Sequence, residues 1–310
     1  MSRLRAAVIG VGYLGRFHAQ KYAAHPEVDL VAVVDADPER AAAVAAETGT
    51  RPHSDYRALL GEMDLASVVV PTAHHHAVGA ALLDAGVHVL MEKPITSEVA
   101  EARDLVRRAE AGGRVLQVGH LERFKPVVRA LMERVERPMF IEAHRLAPFK
   151  WRGTDINVVL DLMVHDIDLA LTLVDSPVVG IQASGVPVLT DHIDIANARI
   201  QFENGCVANL TASRISQKTE RRLRLFQKTA YLAADMGANT LDYYYRSPGA
   251  TLGEMPDVAG DRITLPGGDA IEAEVDAFIR SVRSGSAPVV SGLDGLRALE
   301  TALEVVRQLQ

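Results

Sequence analysis

The sequence predicts an α/β protein of two domains: a doubly wound parallel sheet over residues 1–121, then an α+β domain over 122–310 with a mainly antiparallel sheet. Three observations predict it. In the N-terminal third, short continuous apolar runs alternate with helix-like segments, as parallel strands covered on both faces do. Beyond it, apolar residues recur loosely with period two and a hairpin signal joins them. The chain has 310 residues, 48% of them hydrophobic. That is enough for two cores, since a domain takes ~100–200 residues.

Ala6–Ile9 is a short apolar run that opens into glycines, and residues 13–25 follow as a helix. Leu30–Val34 reads as a buried strand. Pro38–Thr48 is an alanine-rich helix, with Asp37 as its cap and proline at its first position. Leu65–Val70 is a strand, His76–Ala85 a helix closed by Gly86, and Val87–Met91 a strand. Ser97 caps a helix to Ala111 that Gly112-Gly113 close, and Val115–Val118 is the last strand of the first domain. In the second domain a helix is expected over 157–174. Ile195–Phe202 and Cys206–Ala212 form a hairpin, with Asn204-Gly205 as its two-residue turn. Strands follow at 222–227, 230–235 and 241–245, then two amphipathic helices at 269–284 and 292–309, the last of which can pack back toward the first domain.

The formal net charge of -7 argues against a nucleic-acid binder, which would carry a basic footprint. Cys206 is the only cysteine, so no internal disulfide forms, and a cytoplasmic location is expected. No apolar run reaches the ~20 residues of a membrane span, and the N-terminal run is too short for a leader peptide.

Gly10-Val11-Gly12-Tyr13-Leu14-Gly15 is a G-x-G-x-x-G placed between a strand and a helix. Its glycines allow a tight turn, close approach of a pyrophosphate and close helix–strand packing, while free N–H groups at the helix start face the phosphates. Asp35 ends the next strand at the usual spacing of about 20 residues, where a carboxylate accepts hydrogen bonds from ribose hydroxyls. These features predict a Rossmann site for NAD. A 2′-phosphate would be repelled by Asp35, which disfavours NADP; Arg40 is the opposing signal, because a guanidinium can accommodate that phosphate.

Val89-Leu90-Met91-Glu92-Lys93-Pro94 resembles the Glu-Lys-Pro signature of the Gfo/Idh/MocA oxidoreductases. Val70-Pro71-Thr72 with His75, Ala85-Gly86-Val87-His88, and Asp161-Leu162-Met163-Val164-His165 extend the resemblance over essentially the whole chain. It implies an open-faced sheet in the second domain, an active site between the domains, and homodimers or homotetramers paired through that sheet. It also implies that Pro71, Thr72, His75, Glu92, Lys93 and His120 line the cofactor. The chemistry is sound on its own grounds. Lys93 ends a parallel strand, where its ammonium can stabilise an alkoxide. Asp161 and His165 are four apart on a helix, so the carboxylate can orient the imidazole while its other nitrogen takes a hydroxyl proton. Lys93, Asp161 and His165 are therefore the expected catalytic residues. One departure is Asn157, where many members of the family carry glycine.

Segments 118–124 (VGHLERF), 143–149 (AHRLAPF), 161–168 (DLMVHDID) and 211–216 (TASRIS) are similar to the UDP-N-acetylglucosamine 3-dehydrogenase branch of the family. The resemblance implies NAD-dependent oxidation of the sugar 3-hydroxyl. Lys125, where that branch has asparagine, is a departure. Dehydrogenation of myo-inositol, a free sugar or a UDP-hexuronic acid is the alternative; a dinucleotide-binding regulator without turnover is the alternative of another class. Candidate substrate residues are Lys93, His120, Arg123, Phe124, Lys150, Arg152, Asp161 and His165. The basic group Arg214, Lys218, Arg221, Arg222 and Arg224 could serve a diphosphate, a solvated face or a subunit contact. Trp151 reads as a packing anchor before a sugar platform. His74-His75-His76 cannot all face one ion, so no metal is expected.

Overall fold

The computed structural model describes residues 2–150, 156–246 and 258–309. They divide into two compact units, Met1–Leu121 with Asp269–Leu299, and Glu122–Gly268 with Glu300–Gln310.

The first unit contains six strands: β1 (Leu4–Ile9), β2 (Val28–Val34), β3 (Arg51–His53), β4 (Leu65–Val68), β5 (His88–Glu92) and β6 (Leu116–Gly119). The second contains β7 (Pro138–Leu146), β8 (Val178–Val186), β9 (Ile195–Phe202), β10 (Val207–Ser213), β11 (Glu220–Gln227), β12 (Ala230–Asp235), β13 (Thr240–Arg246) and β14 (Val258–Thr264). The helices are α1 (Tyr13–Ala24), α2 (Pro38–Thr48), α3 (His75–Asp84), α4 (Val99–Gly112), α5 (Pro126–Met132), α6 (Val164–Val174), α7 (Ala270–Ser284) and α8 (Gly292–Gln308).

The first sheet runs β3-β2-β1-β4-β5-β6, all parallel. Strand order reverses between β1 and β4, so the crevice for a ligand opens at their carboxyl ends. The Asp37 side chain accepts from the Glu39 and Arg40 amides and starts α2 as its sequence requires. α4 begins one residue later than expected: Glu98, not Ser97, is its N-cap, and the Thr96 hydroxyl donates to the Glu98 carbonyl at 2.8 Å.

α7 corrects the domain boundary. Its Val275, Phe278 and Ile279 are buried in one core with Ala19 and Tyr22 of α1 and with Val8 and Val33 of the sheet. Burial of each large side chain stabilises by about 1.5–3 kcal/mol, which holds α7 in the first unit although its sequence position lies far downstream.

The second sheet runs β14-β13-β12-β11-β7-β10-β9-β8. β7 and β10 are parallel and the other described pairs antiparallel. Alternating burial along β9 and β10 gives the sheet a covered face, against which α6 packs. The hairpin turn has three residues, not two. Phe202 pairs with Cys206, and Gly205 closes the loop at φ 87°. β3, β7, β8, β14 and α5 were not expected. β3 is three residues with a central proline, and β8 is a nine-residue strand with no fully buried residue, so neither carries a strong apolar pattern.

Candidate active site

β1 ends at Gly10, whose φ of 88° is open to glycine, and whose amide donates to the Val34 carbonyl at 2.7 Å. A Cβ on Gly10 would lie 2.5 Å from the Val69 carbonyl oxygen, and one on Gly15 1.9 Å from the Gly10 carbonyl oxygen. A Cβ on Gly12 would meet nothing within 4 Å. Two glycines thus close the turn and one leaves room over it. Gly12 caps α1 with no side-chain bond, so the amides of the first turn, at Tyr13, Leu14 and Gly15, point at that room. This geometry fits a dinucleotide pyrophosphate. Tyr13 is exposed beside it.

Asp35 is buried at the end of β2. One carboxyl oxygen accepts from the Val11 amide at 2.9 Å, the other from the Asp37 amide at 3.0 Å and the Arg40 guanidinium at 3.3 Å. Arg40 also reaches Asp37 at 3.3 Å. Both signals that bear on the choice of dinucleotide therefore sit in one ion pair.

Across the crevice, the Val69 amide donates to Ile9 at 2.7 Å. Pro71 and Thr72 follow on the turn that leads into α3. His75 is buried beneath this turn, its Nε2 2.9 Å from the Val70 carbonyl and its Nδ1 2.9 Å from the Pro94 carbonyl. Burial lowers its pKa despite those two acceptors. His75, expected beside the cofactor, ties the β4 exit to the β5 exit. His76 pairs with Asp104 at 2.9 Å and His74 is exposed, so the three rings take separate surroundings.

Lys93 leaves β5 through a cis bond to Pro94. Its amide donates to the Glu92 carboxylate at 3.2 Å. The Glu92 side chain was also expected at the cofactor, yet it turns into the unit, where His18 Nε2 lies 3.4 Å away. Glu274 of α7 lies 4.0 Å from the same nitrogen. His18, Glu92 and Glu274 bring one ligand atom each within 4.8 Å of one another. The sequence reading missed His18 and Glu274. Both could have been found: each stands on the apolar stripe of an amphipathic helix, with Gly15, Ala19 and Tyr22 in α1 and with Val275 and Phe278 in α7. His120 is buried just after β6.

In the second unit, Asn157 takes the place of the family's glycine for a local reason. Its side chain accepts from the Val159 and Leu160 amides at 3.1 Å, capping the helix that follows. That helix opens with a π-turn, Val159–Met163, which carries Asp161, and continues as α6, which carries His165 in its first turn. Both are partly exposed.

α6 is gripped by two guanidinium forks. Arg145 of β7 holds Asp166 at 2.8 and 2.9 Å and reaches Glu122 at 3.1 Å. Arg123 holds Asp168 at 2.5 and 2.8 Å. Lys125 completes the set against Glu122 at 2.9 Å. Burial pushes the Glu122 carboxyl up, but Arg145 and Lys125 outweigh it and hold it below the ordinary range. These pairs fix the rotation of the helix that presents His165. Arg123 and Phe124, expected at the substrate, lie beside these pairs. Arg123 is 6% exposed and committed to Asp168, and Phe124 is 5% exposed in the packing.

Lys150 is exposed, while Arg152 and Trp151 lie outside the described residues. The basic group is largely committed to partners: Arg214 is buried against the Ile156 and Ile193 carbonyls and Asp194, Lys218 pairs with Glu220, and Arg224 with Glu142. Cys206 is buried, which pushes its thiol up to about 11.

A family model described as an oxidoreductase family with an NAD-binding Rossmann fold matches residues 4–120, and a Gfo/Idh/MocA C-terminal domain model matches residues 128–232. UDP-N-acetylglucosamine 3-dehydrogenase of Acidithiobacillus ferrooxidans is 42% identical over 306 residues, covering 98% of this chain and 97% of its own. A solved structure of that enzyme, GnnA, matches with a TM-score of 0.93 at 41% identity, covering 100% of this chain and 98% of that one. The NAD(+)-dependent scyllo-inositol 2-dehydrogenase of Bacillus subtilis is 24% identical over 97% of this chain and 92% of its own. With its glycine loop, its Glu92-Lys93-Pro94 exit and both family models matched, the chain belongs to the Gfo/Idh/MocA family of NAD-binding oxidoreductases.

Proposed function

We propose that the chain oxidises the 3-hydroxyl of UDP-N-acetylglucosamine to the 3-keto nucleotide-sugar. The observation that carries this reading is 42% identity along nearly the whole of an enzyme of that name. Bound NAD supplies the hydride acceptor for the carbinol C–H. His165 accepts the hydroxyl proton, Asp161 orients its ring, and Lys93 stabilises the oxygen as its negative charge grows. Carbon loses two electrons with the hydride and the proton stays on the imidazole, so the step balances. NAD is the preferred dinucleotide because the buried Asp35 carboxylate stands where a 2′-phosphate would need cations. Support for a cytoplasmic site of action comes from the single cysteine. Copies pair through the second sheet, a reading supported by exposed Tyr244 and Tyr245 on β13 and testable by light scattering.

The test incubates the protein with NAD or NADP and a panel of nucleotide-sugars, inositols and free sugars. NADH absorbance and product mass are followed with a trapping reagent for the ketone. UDP-3-keto-N-acetylglucosamine is the expected product. Turnover of myo-inositol with UDP-N-acetylglucosamine untouched refutes the substrate assignment. Lys93→Ala and His165→Ala should each lower kcat by about a hundredfold or more with NAD binding intact. A variant that turns over normally removes its residue from the mechanism.

A further inference from the structure

Behind the Lys93 peptide the first unit gathers three ionisable side chains, two of them buried. His18 is 1% exposed and Glu274 0% exposed, and Glu92 lies between them and Lys93. The cluster is built by His18 and Tyr22 from α1, Ser67 from β4, Glu92 from β5 and Glu274 from α7, with Gln117 of β6 on the Glu274 backbone carbonyl. The Tyr22 hydroxyl is 2.9 Å from Ser67 Oγ, Ser67 Oγ is 3.1 Å from His18 Nδ1, and His18 Nε2 is 3.4 Å from Glu92 Oε1. One direction of donation fits the first two contacts, Tyr22 to Ser67 and Ser67 to His18; His18 Nε2 then lies within ion-pair range of Glu92 without forming a hydrogen bond among the described residues. Glu92 then receives the Lys93 amide on its other oxygen at 3.2 Å. Gly119 admits the carboxylate, since a Cβ there would stand 3.1 Å from it.

Glu274 sits at the closed end. Among the described residues neither of its carboxyl oxygens has a hydrogen-bond partner. Two carboxylates this close and this buried cannot both ionise. The Lys93 amide donates to Glu92 and the His18 imidazole lies beside it, whereas Glu274 receives no donor and stands farther from the imidazole, so Glu92 keeps the charge and Glu274 keeps a proton. Burial pushes the Glu274 carboxyl well above its ordinary range, and the Glu92 charge adds to it. Burial acts upward on Glu92 too, but His18 and Lys93 hold it below.

We propose that His18 and Glu274 are positioning residues for Lys93, acting through Glu92: the buried imidazole and the buried carboxylic acid packed around the Glu92 carboxylate fix its place and charge behind the Lys93 peptide, and so set the direction and charge of the lysine. His75 grips the same segment from its other side through the Pro94 carbonyl. The proposal rests on the role given to Lys93 above, and its test is chosen to be read without turnover.

The lysines are reductively methylated with 13C and the Lys93 signal, assigned with Lys93→Arg, is titrated by NMR. Loss of the neighbouring charge in Glu92→Gln should lower the Lys93 midpoint by about one pH unit. Glu274→Leu should displace the Lys93 signal and midpoint in the same direction, whereas Glu274→Gln, which keeps a neutral donor, should restore the wild-type curve. His18→Phe should behave as Glu274→Leu does. Should the leucine variant not fold, Glu274→Asp withdraws the acid from Glu92 and takes its place in the comparison. Unchanged Lys93 curves in folded Glu92→Gln and Glu274→Leu overturn the proposal. So does an equivalent of zinc or manganese in the purified protein that Glu274→Gln releases, for the cluster would then hold a cation instead of a proton. Normal turnover by Lys93→Ala strikes the catalytic role of the lysine and leaves the titration to decide its positioning.

Discussion

Arg145, Asp166, Glu122, Lys125, Arg123 and Asp168 bury charge in the second unit with each ion matched to an opposite one, two of the matches being bidentate forks. His18, Glu92 and Glu274 bury charge in the first unit with too few partners, and one carboxyl must hold a proton to stay. The contrast follows from what each group does. The matched network fixes the rotation of α6, which carries His165, and its charges are not asked to change. The unmatched cluster stands behind the Lys93 peptide, where, on the proposal above, it positions the lysine. Matched charges give rigidity. An unmatched pair gives a site whose protonation answers to its surroundings.

The comparison can be broken most forcefully at Arg145. Arg145→Ala leaves Asp166 and Glu122 buried without their guanidinium and should cost about 3–5 kcal/mol in urea unfolding. A loss under about 1 kcal/mol would mean that the network is looser than its distances say. At the second fork the effect is smaller and its form more telling. The double replacement Arg123→Met with Asp168→Leu should cost less than Arg123→Met alone, because a lone buried carboxylate is worse than none. A double variant as unstable as the sum of the singles defeats that reading.

The smallest effect belongs to Glu274, and it depends on pH. Its folded pKa is raised, so the folded state holds the proton more tightly than the unfolded chain. Its contribution to stability is full below the unfolded value of about 4.3 and is lost as pH rises through the folded value. Glu274→Gln removes that loss. The variant should gain on the wild type as pH climbs above about 4.3, then hold a constant difference above the folded pKa. Parallel stability curves across this range would show that Glu274 is ionised in the folded protein.

The sequence made the Rossmann half legible because its signals are local. A strand, three glycines and a carboxylate at fixed spacing describe one turn and its neighbour. The second domain was legible where its hairpin lay, and obscure at β7 and β8. β7 mixes Glu142, His144 and Arg145 into a strand whose burial only its partners explain. Side-chain direction was the other gap. Glu92, placed at the cofactor by resemblance, and Arg123, a substrate candidate, each have a counter-charge distant in sequence that a linear reading did not foresee, at His18 and Asp168. A linear reading ranks residue types along a strand or helix; it cannot see which of them a remote element has already engaged.

The first unit is discontinuous, completed by α7 after the whole second sheet has been made. On the ribosome this orders events. The six-stranded sheet can assemble early, but the surface that Phe278 and Ile279 will cover stays wet until α7 has been made. A nascent chain halted before α7 would carry a greasy, unfinished flank, a natural target for chaperones. The sheet that precedes the second unit in the chain is therefore sealed only after that unit's sheet has been made.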